Sequence, residues 1–198
     1  MNASEADNQA VSTAFIGLGS NLGNPVAQLE AAVNALAQLP GVALRDVSGL
    51  YASPPMGPQD QPDYINAVAC IATTLTPVGL LSGLKALERA SGRLVTRHWG
   101  ERILDLDILA YAECVLATPE LTIPHPGISQ RRFVVEPWLE IAPDARLPDG
   151  TKLAELATGL TDHPLRFVKQ LDLSDLSGET HKSDHEIVKA DRSSGGLL

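Results

Sequence analysis

Asp105 and Asp107 stand two residues apart in the stretch W-G-E-R-I-L-D-L-D-I-L (99–109). From Ile103 onward apolar and acidic residues alternate, the period of a strand with one buried face. Leu104, Leu106 and Ile108 then point into a core, and the two aspartates share the opposite face. Their Cα atoms would lie roughly 6.5–7 Å apart at the usual rise per residue. Paired carboxylates repel unless a positive group lies between them or one keeps its proton. A hard divalent cation carrying a polyphosphate resolves that repulsion. The plainer alternative is an exposed strand face with one aspartate paired to Arg102.

The neighbouring charges favour the first reading. Of 15 lysines and arginines, only Arg45 precedes residue 85. Lys85, Arg89, Arg93, Arg97 and Arg102 then arrive together, with Arg131 and Arg132 beyond the strand. Guanidinium groups bind phosphate oxygens in a fixed fork, which suits a metal-bound polyphosphate. Arg89 fits a solvated helix face instead. The formal net charge of −9 argues against nucleic acid or an anionic membrane as the partner, so the positive field is local and scaled to a small anion.

The elements that would position these groups follow from the pattern before and after them. Thr13 to Leu18 reads as a strand leading into G-S-N-L-G-N-P. The glycines at 17, 19 and 23 do not match a dinucleotide fingerprint, and no G-K-[ST] occurs. A tight turn fits better, with Asn24 as N-cap and Pro25 opening a helix. Val26, Leu29, Val33, Leu36 and Leu39 give that helix one apolar face, and Pro40-Gly41 ends it. Val42 to Ala52 reads as a second strand. The proline-rich stretch S-P-P-M-G-P-Q-D-Q-P-D must be a stiff loop. Tyr64 to Thr74 is a third strand, with Tyr64, Asn66 and Val68 on one face. Thr76-Pro77 opens a second helix, closed by Gly92, on which Lys85 and Glu88 share a face. Residues 93–102 lack periodicity and read as a loop.

The order βαββαβ predicts an α+β fold, a ferredoxin-like antiparallel sheet with helices on one face and a C-terminal extension. Ile128 to Leu139 reads as a third helix, broken near Pro137, L-P-D-G at 147–150 as a turn, and Lys152 to Ala157 as a short helix. Residues 1–12 read as a flexible extension, 13–174 as one domain, and 175–198 as a disordered tail, in which His181 and His185 are incidental. Cys70 and Cys114 read as buried free thiols. No apolar run approaches a membrane span, and the expected location is the cytoplasm.

Several motifs together resemble one family. They are F-I-G-L-G-S-N-L-G (15–23), Y-A-S-P-P-M-G-P-Q-D-Q-P-D-Y-I-N-A (51–67), L-E-R-A-S-G-R (87–93), W-G-E-R-I-L-D-L-D-I (99–108), and T-I-P-H-P (122–126) with R-R-F (131–133). In this order, across about residues 13–172, the chain resembles the 6-hydroxymethyl-7,8-dihydropterin pyrophosphokinases of folate biosynthesis. The resemblance implies transfer of pyrophosphate from ATP to the hydroxymethyl oxygen of the pterin, with release of AMP. It implies two Mg²⁺ ions on Asp105 and Asp107, and Arg93 and Arg102 as charge stabilisers. ATP would meet Trp99, Arg102, Ile108, Thr122, His125 and Arg131, with Lys85 and Glu88 at its rim. Tyr64 and Phe133 would sandwich the pterin ring, with Asn66 and the loop Ser53, Pro54, Pro55 and Met56 at its polar edges. A monomer acting on small molecules, with neither nucleic acid nor membrane as partner, is the implied state.

The match has departures. Val95 stands where a second loop arginine is common, His98 where an arginine often precedes the tryptophan, Glu101 where proline is usual, and Gly127 where arginine is frequent. These put the roles of Arg97 and His98 in doubt and leave the aspartate pair and the aromatic clamp untouched. Two rival classes compete. A non-catalytic nucleotide-binding module leaves the stiff loop and the Tyr64/Phe133 pair unexplained. A two-metal nuclease conflicts with the acidic surface.

Overall fold

The computed structural model describes residues 10–92, 100–160 and 164–172. Strand β1 (Ser12–Ser20) is followed by helix α1 (Pro25–Ala37), in which Asn24 Oδ1 accepts from the Ala27 N–H at 3.3 Å. Leu29, Val33 and Leu36 are fully buried along one face of α1, each worth about 1.5–3 kcal/mol of burial. Strands β2 (Val42–Val47), β3 (Leu50–Ser53) and β4 (Tyr64–Thr73) come next. Helix α2 (Pro77–Ala90) is capped by Thr76 and ends at Gly92, whose φ of +85° suits glycine. Then follow β5 (Asp105–Tyr111), the short pair β6 (Leu116–Ala117) and β7 (Thr122–Ile123), a 3₁₀ turn at Ile128–Gln130, α3 (Arg132–Ile141), α4 (Leu153–Thr158) and β8 (Arg166–Lys169).

The main sheet is antiparallel in the order β5-β1-β4-β3-β8, and β2 also pairs with β4. Alternation along the strands separates two cores. Ile16, Leu18, Ile71, Leu104, Leu106 and Ile108 face α1 and α2. Phe15, Val68 and Leu109 face α3, with the Phe15 and Trp138 rings 4.6 Å apart. The ferredoxin-like expectation holds for the sheet and the first two helices. Helices on one face alone does not: α3 covers the other side.

Other expectations need adjustment. The second strand is two, split at Ser48 and Gly49. There the Ser48 Oγ accepts from the Val68 N–H at 2.9 Å and the Gly49 N–H turns to Glu140. The third helix starts at Arg132, because the chain first makes a 3₁₀ turn, and it runs through Pro137 without a break. Strand β8 had no signal beyond a short basic and apolar run. Both cysteines are free but only half-buried. The proposed tail and N-terminal extension lie largely outside the described residues.

Candidate active site

On the α3 side of the sheet the floor is missing. β1 places Gly17 and Gly19 there, and no side chain rises from either. A Cβ on Gly19 would sit 3.6 Å from Asn66 Oδ1 and 3.9 Å from Tyr64 Cδ1. The result is a cavity of about 360 Å³ bounded by β1, β4, β5, α3 and the proline-rich loop. Gly17 and Gly19 are part of the site that the sequence reading missed, having placed Gly17 within a strand and Gly19 at the start of a turn. Their spacing of two, on a strand, was the available signal.

The cavity gathers most of the residues singled out above. Arg102, Asp105, Asp107, His125, Arg131 and Phe133 line it, as do Tyr64, Asn66, Ser53, Pro54 and Met56. Pro55 does not. It is buried, and its carbonyl accepts from the Gln59 side chain at 2.8 Å. Lys85, Ile108 and Thr122 line a neighbouring cavity of about 290 Å³, which shares Asp107 and His125 with the first. Glu88 lines neither; it is 1% exposed, beneath the rim where it was expected. Arg93, Arg97, His98 and Trp99 lie outside the described residues.

Register places the carboxylates. Asp105 pairs opposite Gly19 and Asp107 opposite Gly17, so both carboxylates stand over the glycine floor. Arg102 makes a short contact with Asp105. His125 Nε2 and Arg131 Nη1 approach Asp107 Oδ2 at 3.8 and 3.9 Å. Burial and then the charge of Asp105 raise the Asp107 carboxyl above its usual range, against His125, Lys85 and Arg131. Burial lowers His125 despite Asp107, so the ring is neutral near pH 7. The Gly127 N–H donates to His125 Nδ1 at 2.9 Å, which leaves the ring proton on Nε2, facing Asp107.

Two buried amides hold the walls. Asn21, 2% exposed, accepts on Oδ1 from the Arg102 N–H at 2.8 Å, and its own N–H donates to the Arg102 carbonyl at 3.0 Å. Its NH₂ group donates to Gln61 Oε1 and to the Pro62 carbonyl. One side chain therefore ties the end of β1 to the arginine and to the stiff loop. Asn66 donates to Ser53 Oγ at 3.0 Å, and the Tyr64 hydroxyl donates to the Gly100 carbonyl at 2.9 Å. Asn21 was also missed, since a turn asparagine shows nothing of a buried partner.

The comparisons with known proteins bear on this constellation. Residues 15–143 match the family model described as 7,8-dihydro-6-hydroxymethylpterin-pyrophosphokinase (HPPK). The chain belongs to this family. This pyrophosphokinase is 49% identical over 153 residues to the 2-amino-4-hydroxy-6-hydroxymethyldihydropteridine pyrophosphokinase of Haemophilus influenzae, covering 77% of this chain and 96% of that one. It is 40% identical to the folic acid synthesis protein fol1 of Schizosaccharomyces pombe, over 66% of this chain and 18% of that protein. A crystal structure of Plasmodium falciparum HPPK-DHPS, a triple mutant, superposes with a TM-score of 0.62 at 12% identity. It covers 78% of this chain and 44% of that chain, and it bears on the fold alone.

Proposed function

We propose that this pyrophosphokinase transfers pyrophosphate from ATP to 6-hydroxymethyl-7,8-dihydropterin at the glycine-floored cavity, with Asp105 and Asp107 holding two Mg²⁺ ions. The observation that carries the reading is the meeting, in one cavity, of two carboxylates, two arginines, a neutral histidine and two aromatic rings. The donor set fits magnesium. Among the described residues no group of three His, Cys, Asp or Glu side chains forms a ready-made cage. Magnesium is commonly held by one or two carboxylates, with waters and substrate phosphates completing its shell. The half-buried like-charge pair, with Asp107 raised, is a site that a cation would relieve. Held by Asp105 and Asp107, Mg²⁺ would supply positive charge against that developing on the phosphate oxygens.

The chain's own residues do the rest. Arg102 lies against Asp105 and Arg131 near Asp107, and each would present forked donors to phosphate oxygens. His125 presents the Nε2 proton on the same side as Arg131. Tyr64 and Phe133 offer flat apolar faces to a bicyclic ring, and Asn66 Oδ1 and the Ser53–Met56 backbone offer it polar edges. Lys85, Ile108 and Thr122 extend the surface into the second cavity, sized for the nucleoside end. The hydroxymethyl oxygen bonds to the β-phosphorus and loses its proton to solvent, the bond from that phosphorus to the α,β-bridging oxygen breaks, and AMP leaves with that oxygen. Such chemistry needs positioning and charge stabilisation rather than a covalent nucleophile.

The same reading makes the chain a cytoplasmic monomer acting on small molecules. In its support, no helix of the described residues is long and apolar enough to cross a membrane, and the net charge of −9 opposes anionic polymers. Incubation with Mg-ATP and the hydroxymethyl dihydropterin tests the reaction. AMP should appear in step with pterin diphosphate. Stoichiometric ADP would make the enzyme an ordinary kinase and overturn the reading.

A further inference from the structure

Among the described residues strand β5 is the edge of the sheet: β1 covers one side of it, and no described strand covers the other. Leu106 lies between the two aspartates and turns its backbone to that open side. Its N–H donates to Glu88 Oε1 at 2.8 Å. Its carbonyl accepts from Lys85 Nζ at 3.5 Å, and the same ammonium sits 2.9 Å from Glu88 Oε1. Two side chains of α2 thus take the place of a neighbouring strand for a single residue, one accepting and one donating.

The arrangement is costly. Glu88 is 1% exposed, and a buried carboxylate is unfavourable unless paired and hydrogen-bonded. An edge N–H can be satisfied by water, so closing the edge does not by itself require a charge. What the buried Glu88 oxygen adds, held in place by packing and by Lys85, is stiffness in the peptide between Asp105 and Asp107. Where those carboxylates must meet one metal centre, a small rotation of that peptide splays them.

We propose that Glu88 is a positioning residue for metal binding: held by Lys85, its carboxylate pins the Leu106 peptide and so sets the spacing of the Asp105 and Asp107 carboxylates. The inference rests on the reading of these aspartates as the metal pair. It assigns Glu88 an action through the β5 backbone, in addition to whatever the rim of the nucleotide site receives from Lys85. Partners of this kind, one shell away from a metal, typically change its affinity by about 10–100-fold when removed.

The test uses Glu88→Ala and Glu88→Gln in the full chain, well below the melting temperature of each. Calorimetry measures the affinity for α,β-methylene ATP with Mg²⁺ and again with EDTA, and NMR measures hydrogen exchange at the Leu106 amide. Glu88→Ala should speed that exchange and weaken the Mg²⁺-dependent affinity at least ten-fold, while the EDTA value moves less than three-fold. Glu88→Gln, which keeps an acceptor oxygen for the Leu106 N–H, should stay within about three-fold of the parent on every measure. Should Glu88→Ala fail to fold, Glu88→Gln decides alone: a ten-fold loss of Mg²⁺-dependent affinity there overturns the proposal. Faster exchange in the alanine variant with unchanged Mg²⁺-dependent affinity also overturns it, as does an equal loss with and without metal. If the parent itself shows no Mg²⁺-dependent binding, the metal reading of Asp105 and Asp107 falls first.

Discussion

On the proposed reading of the aspartate pair, one residue would serve chemistry at the expense of the fold. The Asp107 carboxyl is shifted upward from the usual range, because it is partly desolvated and stands beside Asp105. A neutral isostere should therefore be tolerated by the empty protein, and above the usual carboxylate range it should stabilise it. Asp107→Asn is expected to melt at or above the parent temperature in EDTA, and to lose most activity at saturating Mg²⁺. Thermal melts and steady-state rates check both halves; a lower melting temperature would mean that Asp107 has a structural partner. Asp105 differs, because it is engaged with Arg102. Asp105→Asn should also lose activity, without the rise in melting temperature. That the two aspartates share a strand face was legible from alternation, and the metal reading needed the neighbouring arginines as well. Glu88 was not legible, since a lysine and a glutamate three apart on a helix read as an ordinary surface pair, and only the packed β5 edge shows that the carboxylate is buried.

At the scale of elements, the site is made as much by what β1 lacks as by what β5 carries. Gly17 and Gly19 face α3; the Leu109 side chain packs over Gly17, where a Cβ would meet it at 3.2 Å, and the space above Gly19 is what a flat ligand would enter. A Cβ at position 19 meets only ordinary contacts, 3.6 Å to Asn66 and 3.9 Å to Tyr64, so Gly19→Ala should fold with little change in melting temperature. The added methyl group would stand beside the aromatic end of the cavity. We expect KM for the pterin to rise on the order of ten-fold, the usual scale for one methyl-sized group in a pocket, with KM for ATP changing far less. Equal changes in both would place the pterin elsewhere. The element order and the first two helices were legible from apolar period and capping residues, and Asn24 and Thr76 cap as expected. The division of residues 42–52 into two strands was not, because it depends on Ser48 bonding to Val68 and Gly49 to Glu140, partners far away in sequence. The face that α3 covers was equally hidden: a helical period states which side is apolar but not which sheet face receives it.

Across the whole molecule, α3 must be joined to the far edge of the sheet, and Glu140 makes that joint. Its carboxylate accepts from the Gly49 N–H on both oxygens, at 3.0 and 3.2 Å, from the Tyr51 hydroxyl at 2.8 Å and from the Gln170 amide at 3.2 Å. These bonds tie α3 to β3 and to the residue after β8, and Glu140 lines neither cavity. Glu140→Ala would take their shared acceptor from Gly49 and Tyr51. The part-exposed Tyr51 hydroxyl can turn to water, so the cost, about 1–3 kcal/mol, falls mainly on the buried Gly49 N–H. Its melting temperature should fall by roughly 5 °C, with kcat and both KM values at 25 °C within two-fold of the parent. Tyr51 supplies a sharper check. Burial, and then its bond to Glu140, push its hydroxyl from 10.0 up to about 12, so the fold favours the protonated phenol. A group raised in this way contributes stability fully below its unfolded value, and that contribution disappears as the pH climbs through the folded one. Tyr51→Phe should therefore melt below the parent by a constant margin from neutral pH to about pH 9, and the margin should shrink from pH 10 towards 12. Melting curves across that range settle it: a gap that stays constant to pH 12 would mean that the hydroxyl stabilises the protein by packing, and that the bond to Glu140 is not what joins helix and sheet.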